Sequence, residues 1–258
     1  MTKKNTNKQA VHIVLQGKGG IGKSFLANML MQYIADSGDS VIGLDTDPSN
    51  PTLSSYVGLG AARVDIMDGN RIDIKRFDEV MKLIHEKDED VVLDIGSSCF
   101  VPFTQYVTDQ DIFTVMEEML GVKVYLHVIV VGGESKDQTL KGLIDIIESG
   151  VPNESIVIWE NEHFGRIGDK KRVIETHMIQ KVINKVQGSG VLRLNNNDLL
   201  GDDLRIMQKN LLTFDEVKGS DAFDFMEKMR LDTFRKAIWA LLDGIFSIKA
   251  QAEVETYG

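Results

Sequence analysis

One cysteine, Cys99, and four prolines stand in a chain of 258 residues, and no apolar run approaches the roughly 20 residues that a membrane-spanning helix needs. A single thiol excludes an intrachain disulfide and any cysteine-rich zinc site. Scarce proline beside a 43 % hydrophobic content excludes collagen-like and disordered compositions, so the chain has the material for a large core. Positive charge is also short. Lys and Arg number 29 against 39 Asp and Glu, a formal net charge of -10, which argues against non-specific long-range attraction to nucleic acid or to anionic membrane. The opening "MTKKNTNKQA" is polar, with no apolar signal-peptide core. Together these absences predict a cytoplasmic protein that does not enter a membrane.

What is present is a rhythm of short apolar runs between segments of helical period. The runs are "VHIVL" (11–15), "SVIGLD" (40–45), "VVLDIG" (91–96), "VKVYLHVIVV" (122–131), "SIVIWE" (155–160) and "GVLRL" (190–194). Runs apolar on both faces suit parallel strands covered by helices on both sides. Between the first two, Leu26, Met29, Leu30, Tyr33 and Ile34 share one helical stripe, and Gly38 is placed as its stop. "RFDEVMKLIHE" before the third run and "DQTLKGLIDIIES" after the fourth repeat the helical pattern. The fold class predicted is α/β, a doubly wound, mostly parallel sheet with helices on both faces. From Asp221 to about Lys249 a long helix carries Phe234, Ile238, Leu241, Leu242 and Ile245 on one stripe and is expected to pack on the sheet. The interval 165–187 is less regular and gathers Arg166, Lys170, Lys171, Arg172, Lys181 and Lys185. Two readings of that cluster stay open, a solvated helical surface and a face for DNA or a protein partner.

The chemistry is concentrated in "QGKGGIGKSFLANML" (16–30). Gly17, four residues, then Gly22-Lys23-Ser24 is the phosphate-loop pattern, placed after a strand and at the mouth of an amphipathic helix. Glycines let successive N–H groups curl toward phosphate oxygens, and the helix N-terminus adds partial positive charge. Gly17, Gly19, Gly20, Ile21, Gly22, Lys23, Ser24 and Phe25 are therefore the candidate nucleotide-binding residues, with Lys23 reaching the β- and γ-phosphates and the Ser24 hydroxyl ligating Mg2+. Carboxylates at neighbouring strand ends complete such a site: Asp45 and Asp47 in "GLDTDPSNP" and Asp94 in "VVLDIGSS". Asp94 has the form of a Walker B acid, which holds magnesium through coordinated water. Acids grouped beside phosphates call for a cation between them.

"KGGIGKS", "LDTDPSN" and the strand-end "LDIG" together resemble the deviant Walker ATPases of the ParA and MinD type, which partition plasmids and chromosomes or position division sites. The resemblance implies an ATP-dependent homodimer in which the first lysine, Lys18, reaches the phosphates held by the other subunit. It implies that Asp47 orients the attacking water, that Asp45 supports the lysine and magnesium network as part of the metal set with Ser24 and Asp94, and that ATP and Mg2+ are the cofactors. "VIWENEHFG" (157–165) and "FMEKMRLDTFRKAIWALL" (225–242) are similar to the TraL and StbB-like ATPases of conjugative plasmids. In that branch Asn161 matches an asparagine at the base edge, its other reading being a polar loop residue. Gly96-Ser97-Ser98 departs from the wider family, which has a small residue and prolines after the Walker B acid.

The organisation expected is a flexible stretch 1–10, one P-loop ATPase domain over 11–250 including C-terminal helices, and a polar tail 251–258. The function expected is a slow, partner-stimulated ATPase switch in plasmid conjugation, stability or partitioning, with plasmid transfer or partition proteins as partners and DNA as a further candidate. Three rivals share the fold. An ATP-dependent ligase of the dethiobiotin synthetase type needs a second substrate pocket, for which no motif is visible. An iron-sulfur reductase resembling the nitrogenase iron protein needs two cysteines per subunit. A non-hydrolysing ATP-gated scaffold differs only in turnover. The tail "KAQAEVETYG" lacks the basic face of an interfacial helix, so membrane targeting through it is not expected.

Overall fold

The computed structural model describes residues 9–165, 167, 188–192 and 199–255. Strand β1 (Ala10–Leu15) leads through the glycine loop into helix α1 (Lys23–Asp36), and β2 (Val41–Asp45) follows. A short strand β3 (Ala62–Arg63) and the hairpin of β4 (Met67–Asp68) and β5 (Arg71–Ile72) precede α2 (Phe77–His85) and β6 (Asp90–Asp94). Then come α3 (Phe100–Asp109), β7 (Lys123–Val131), α4 (Lys136–Glu148), β8 (Ile156–Asn161), β9 (Gly188–Leu192), α5 (Leu199–Lys209), α6 (Phe214–Gly219) and α7 (Phe225–Glu255). Among the described residues seven strands form one sheet in the order β3-β2-β6-β1-β7-β8-β9, and each pairing is parallel.

The first five apolar runs became β1, β2, β6, β7 and β8 because their residues are largely buried between helices on both faces, and the sixth overlaps β9. One hydrophobic cluster joins Val11, Ile13 and Leu15 of β1 to Phe77, Val80 and Ile84 of α2, Phe103 of α3, and Leu143 and Ile146 of α4. The opposite face joins Val14 and Trp159 to Leu26 and Leu30 of α1, Leu204 and Met207 of α5, Phe214 of α6, and Phe234, Ile238, Leu242 and Ile245 of α7. This is the doubly wound architecture expected. The C-terminal stripe packs on the sheet as read, with Leu241 only partly buried beside it, and α7 continues to Glu255. The hairpin β4-β5 and helices α3, α5 and α6 are additions to the elements read from the sequence.

β1 lies centrally, between β6 and β7, and the chain leaves it toward β2 on one side while the later strands build out on the other. In such sheets the crevice beyond the carboxyl ends of the strands, where the winding reverses, is where ligands bind. The glycine loop emerges at that point.

Candidate nucleotide and magnesium site

Sheet register assembles the site. Asp94 pairs with Val14 of β1 and with Asp45 of β2, so the two carboxylates stand abreast on adjacent strands just below the start of the glycine loop. Residues paired directly across strands point to the same face. Thr46 ties the two strand ends: its N–H and its hydroxyl both donate to the Asp94 carbonyl, at 3.0 and 3.1 Å.

Helix α1 begins at Lys23 with Gly22 as its N-cap in the left-handed region, and among the described residues no side chain caps its first turn. The N–H groups of that turn are left for an acceptor from outside the chain, the arrangement an anion site requires. Lys23 is only 8 % exposed and folds back so that its ammonium donates to the Lys18 carbonyl at 3.1 Å. Burial lowers its pKa, and the charges of Asp94, Asp47 and Cys99 oppose that change. A buried ammonium carrying a single hydrogen bond has two N–H donors to spare for phosphate oxygens. Lys18 is half-buried at the crest of the loop, and its side chain makes no ion pair with a described residue.

The carboxylates divide into two kinds. Both oxygens of Asp94 are buried without a hydrogen-bond partner among the described residues. Burial raises its pKa to about 7; the Ser24 hydroxyl lowers it as a near neighbour rather than through a formed bond, Asp45 raises it, Lys23 lowers it and Asp47 raises it. A desolvated, unpaired carboxylate beside a serine hydroxyl is unfavourable by itself and is relieved by a cation. Magnesium therefore fits, with Ser24 and Asp94 as its protein contacts. Among the described residues no cluster of three or more His, Cys, Asp or Glu could hold a metal, so phosphate oxygens and water would complete the shell.

Asp45 is fully buried, and each of its oxygens is already used: Oδ1 accepts from Asp47 N–H at 3.1 Å and Oδ2 from Ser54 N–H at 2.9 Å. It shapes the 46–54 loop and so holds Asp47 in place. Asp47 Oδ1 in turn accepts from the N–H groups of Ser49 and Asn50 at 2.9 and 3.0 Å. Its Oδ2 has no hydrogen bond with a described residue. The loop after β6 closes against it: a Cβ on Gly96 would lie 2.8 Å from both Cα and Cγ of Asp47, so only glycine allows this approach. Ser97 Oγ would lie 3.3 Å from a Cβ on Gly19, which sets Gly96-Ser97-Ser98 directly beside the phosphate loop. Cys99 is buried, its thiol donating to the Thr46 carbonyl at 3.7 Å, and burial raises its pKa.

The structure thus brings Gly17 to Phe25, Asp45, Asp47 and Asp94 together at one end of the sheet. Asn161 joins them from the end of β8, where its Nδ2 donates to the Ile21 carbonyl at 2.9 Å. The basic cluster of Arg166, Lys170, Lys171, Arg172, Lys181 and Lys185 lies outside the described residues. Sequence reasoning missed Gln16. Its Oε1 accepts from Gly17 N–H at 2.8 Å, and its Nε2 donates to the carbonyls of Ile129 and Thr139 at 2.9 and 3.0 Å, tying the loop entrance to β7 and α4. A polar residue directly after the apolar run Ile13–Leu15 was the one signal available for it.

Comparison with known proteins agrees with this geometry. The chain is 32 % identical to Protein TraL of Escherichia coli over 235 residues, covering 90 % of this chain and 97 % of the relative. It is 40 % identical to the carbon monoxide dehydrogenase accessory protein CooC of Rhodospirillum rubrum over 52 residues, 20 % of this chain and 19 % of that one. The solved structure of a ParA family ATPase from Chlorobium tepidum TLS superposes with a TM-score of 0.50 at 14 % identity, covering 89 % of this chain and 98 % of that chain, a likeness of fold alone. Residues 12–216 match the model of the CobQ/CobB/MinD/ParA nucleotide binding domain. With that match spanning β1 through α6 and the phosphate loop at its expected place, the chain belongs to the CobQ/CobB/MinD/ParA family of nucleotide-binding proteins and is a relative of TraL.

Proposed function

We propose that this protein is a magnesium-dependent ATPase switch that dimerises when it holds ATP, hydrolyses it slowly until a partner stimulates turnover, and acts in plasmid transfer, stability or partitioning. The observation that carries this reading is the contrast between two lysines five positions apart. Lys23 is buried and aimed within its own loop, whereas Lys18 stands half-buried at the crest with no ion pair to a described residue. A cation that its own loop does not need is available to a second, facing subunit. The plasmid setting rests on the resemblance to the TraL-like branch, supported by the 32 % identity to TraL. No helix among the described residues is long and apolar enough to cross a membrane.

In this reading the N–H groups of the α1 first turn and the Lys23 ammonium bind the phosphates. The chemistry magnesium would supply when bound is positive charge that offsets negative charge developing at the γ-phosphate. Ser24 and Asp94 are the residues that would hold it. Asp45 keeps the 46–54 loop closed so that Asp47 Oδ2 is free to accept a hydrogen bond from the attacking water and orient it. Lys18 of a facing subunit adds positive charge where negative charge develops.

Replacing Lys23 with alanine removes a charge-assisted contact worth about 1.5–3 kcal/mol, so ATP affinity is expected to fall by roughly tenfold or more. Calorimetry finding wild-type affinity in folded Lys23→Ala protein would remove this lysine from the site. Asp47→Ala separates binding from hydrolysis, since the substitution takes away the group that orients water and leaves the phosphate cradle intact. Expected are near wild-type ATP affinity, loss of phosphate release, and an ATP-bound dimer that accumulates in light scattering. Normal hydrolysis by the variant would reject the role. Wild-type protein that binds ATP and dimerises yet releases no phosphate, with or without partner, would make the chain an ATP-gated scaffold instead.

A further inference from the structure

The sequence offers two readings of Asn161, a contact at the base edge of the nucleotide and a polar loop residue, and its side chain makes two contacts that neither reading names. It sits at the end of β8, 3 % exposed, in register with Val131 of β7. Its Nδ2 donates to the Ile21 carbonyl at 2.9 Å, 140 residues away in sequence, and its Oδ1 accepts from His163 N–H at 3.0 Å, capping the turn Glu162–Phe164. The Ile21 carbonyl shares its peptide plane with the Gly22 N–H, and in a trans peptide the two point in opposite directions. Drawing the carbonyl toward β8 therefore aims the Gly22 N–H away from β8. Gly22 itself has φ +99° and ψ 21°, and a Cβ there would lie 3.1 Å from Asn161 Nδ2. The left-handed turn that opens α1 is thus pressed against the asparagine amide.

We infer that Asn161 is a positioning residue that braces the phosphate loop from β8, holding the Ile21–Gly22 peptide in its anion-binding orientation before any nucleotide arrives. A loop aimed beforehand loses less conformational entropy on binding, and that saving appears as affinity. The brace acts on whatever the loop holds, so the ligand class that reports it is the polyphosphate group. This inference rests on the loop being a phosphate site, as proposed above.

The test uses a ligand without a base. Inorganic tripolyphosphate, ATP and GTP are titrated, each with magnesium, into wild-type protein and into Asn161→Ala. Asn161→Ser is the second variant: its hydroxyl can still accept from His163 N–H and keep the turn, but it is too short to reach Ile21, which keeps the test available if the alanine variant fails to fold. The brace predicts that tripolyphosphate and ATP weaken by the same factor, roughly tenfold, and that the ATP to GTP ratio stays at its wild-type value. Unchanged tripolyphosphate affinity in a folded variant overturns the inference, whether ATP alone weakens, which would be a base contact, or nothing changes, which would leave Asn161 a turn cap only. Wild-type protein that binds neither tripolyphosphate nor ATP would instead sink the ATPase reading, and this inference with it.

Discussion

Lys18→Ala is expected to bind ATP as a monomer nearly as well as the wild type while losing ATP-dependent dimerisation and hydrolysis together. The contact between Lys18 and Lys23 runs through the Lys18 carbonyl, so truncating the side chain leaves the Lys23 ammonium held as before. What disappears is a cation at the loop crest. At about 4 Å and an effective dielectric near 20, its contact with a γ-phosphate across an interface is worth up to roughly 4 kcal/mol before desolvation. Mixing Lys18→Ala with Lys23→Ala subunits makes the test specific: the first can hold ATP, the second can donate Lys18, and one composite site results. Rescue should be partial, because Lys23→Ala subunits bind ATP weakly, and it should grow with protein concentration. Monomer ATP affinity in Lys18→Ala that falls as far as in Lys23→Ala would place Lys18 within its own subunit.

Acidification in the absence of nucleotide is expected to destabilise the protein through two buried histidines on the adjacent strands β1 and β7. Trp159 Nε1 donates to His127 Nδ1 at 2.9 Å, and His127 Nε2 lies 3.0 Å from His12 Nδ1. Because His127 Nδ1 accepts, its proton is on Nε2, and His12 Nδ1 must accept in turn; the chain of bonds assigns both neutral tautomers. His12 is also stacked on Tyr125, with ring centroids 5.0 Å apart, and meets the edge of Phe246 of α7 at 5.2 Å. Burial lowers the pKa of His12 to about 3, and burial followed by the His12 charge lowers that of His127.

Between about pH 6.5 and 3 the unfolded chain therefore binds protons at these positions that the folded protein refuses. The loss of stability is absent above the unfolded value of 6.5 and grows as pH falls toward 3. Asp94 acts in the opposite sense, since its raised pKa lets the folded protein take up a proton between about 7 and the ordinary carboxylate value. Asp90, raised by burial, acts in the same sense as Asp94, so the contribution of the histidines has to be read by difference. His12→Gln isolates the effect: the amide oxygen can accept from His127, nothing titrates at that position, and Asp94 contributes equally to both proteins. Thermal midpoints from pH 7.5 to 4.5 should fall less steeply in the variant than in the wild type. Parallel pH profiles would show that His12 does not carry the acid lability.

The phosphate loop, the acids that surround it and the doubly wound fold were all legible in the sequence because each depends on local pattern. Gly22-Lys23-Ser24 after a strand has one efficient use, and an apolar run flanked by helical period has few ways to be buried on both sides. α3 was not foreseen, since "FVPFTQYVTD" carries a proline near its start although Phe100, Phe103, Tyr106 and Val107 share one face, and its helix is stabilised by packing Phe103 and Tyr106 on Phe77. The carboxylates show the same boundary within the site. Asp45, Asp47 and Asp94 look alike in sequence as strand-end acids. Only the register of β2 with β6 and the path of the 46–54 loop leave Asp94 desolvated and unpaired for a cation, commit both oxygens of Asp45 to backbone N–H groups, and keep one oxygen of Asp47 open. Gln16 and Asn161 were set by tertiary structure in the same way. A carboxamide has no directional preference of its own, and its role is decided by which backbone groups, more than a hundred residues distant, the sheet brings within 3 Å of it.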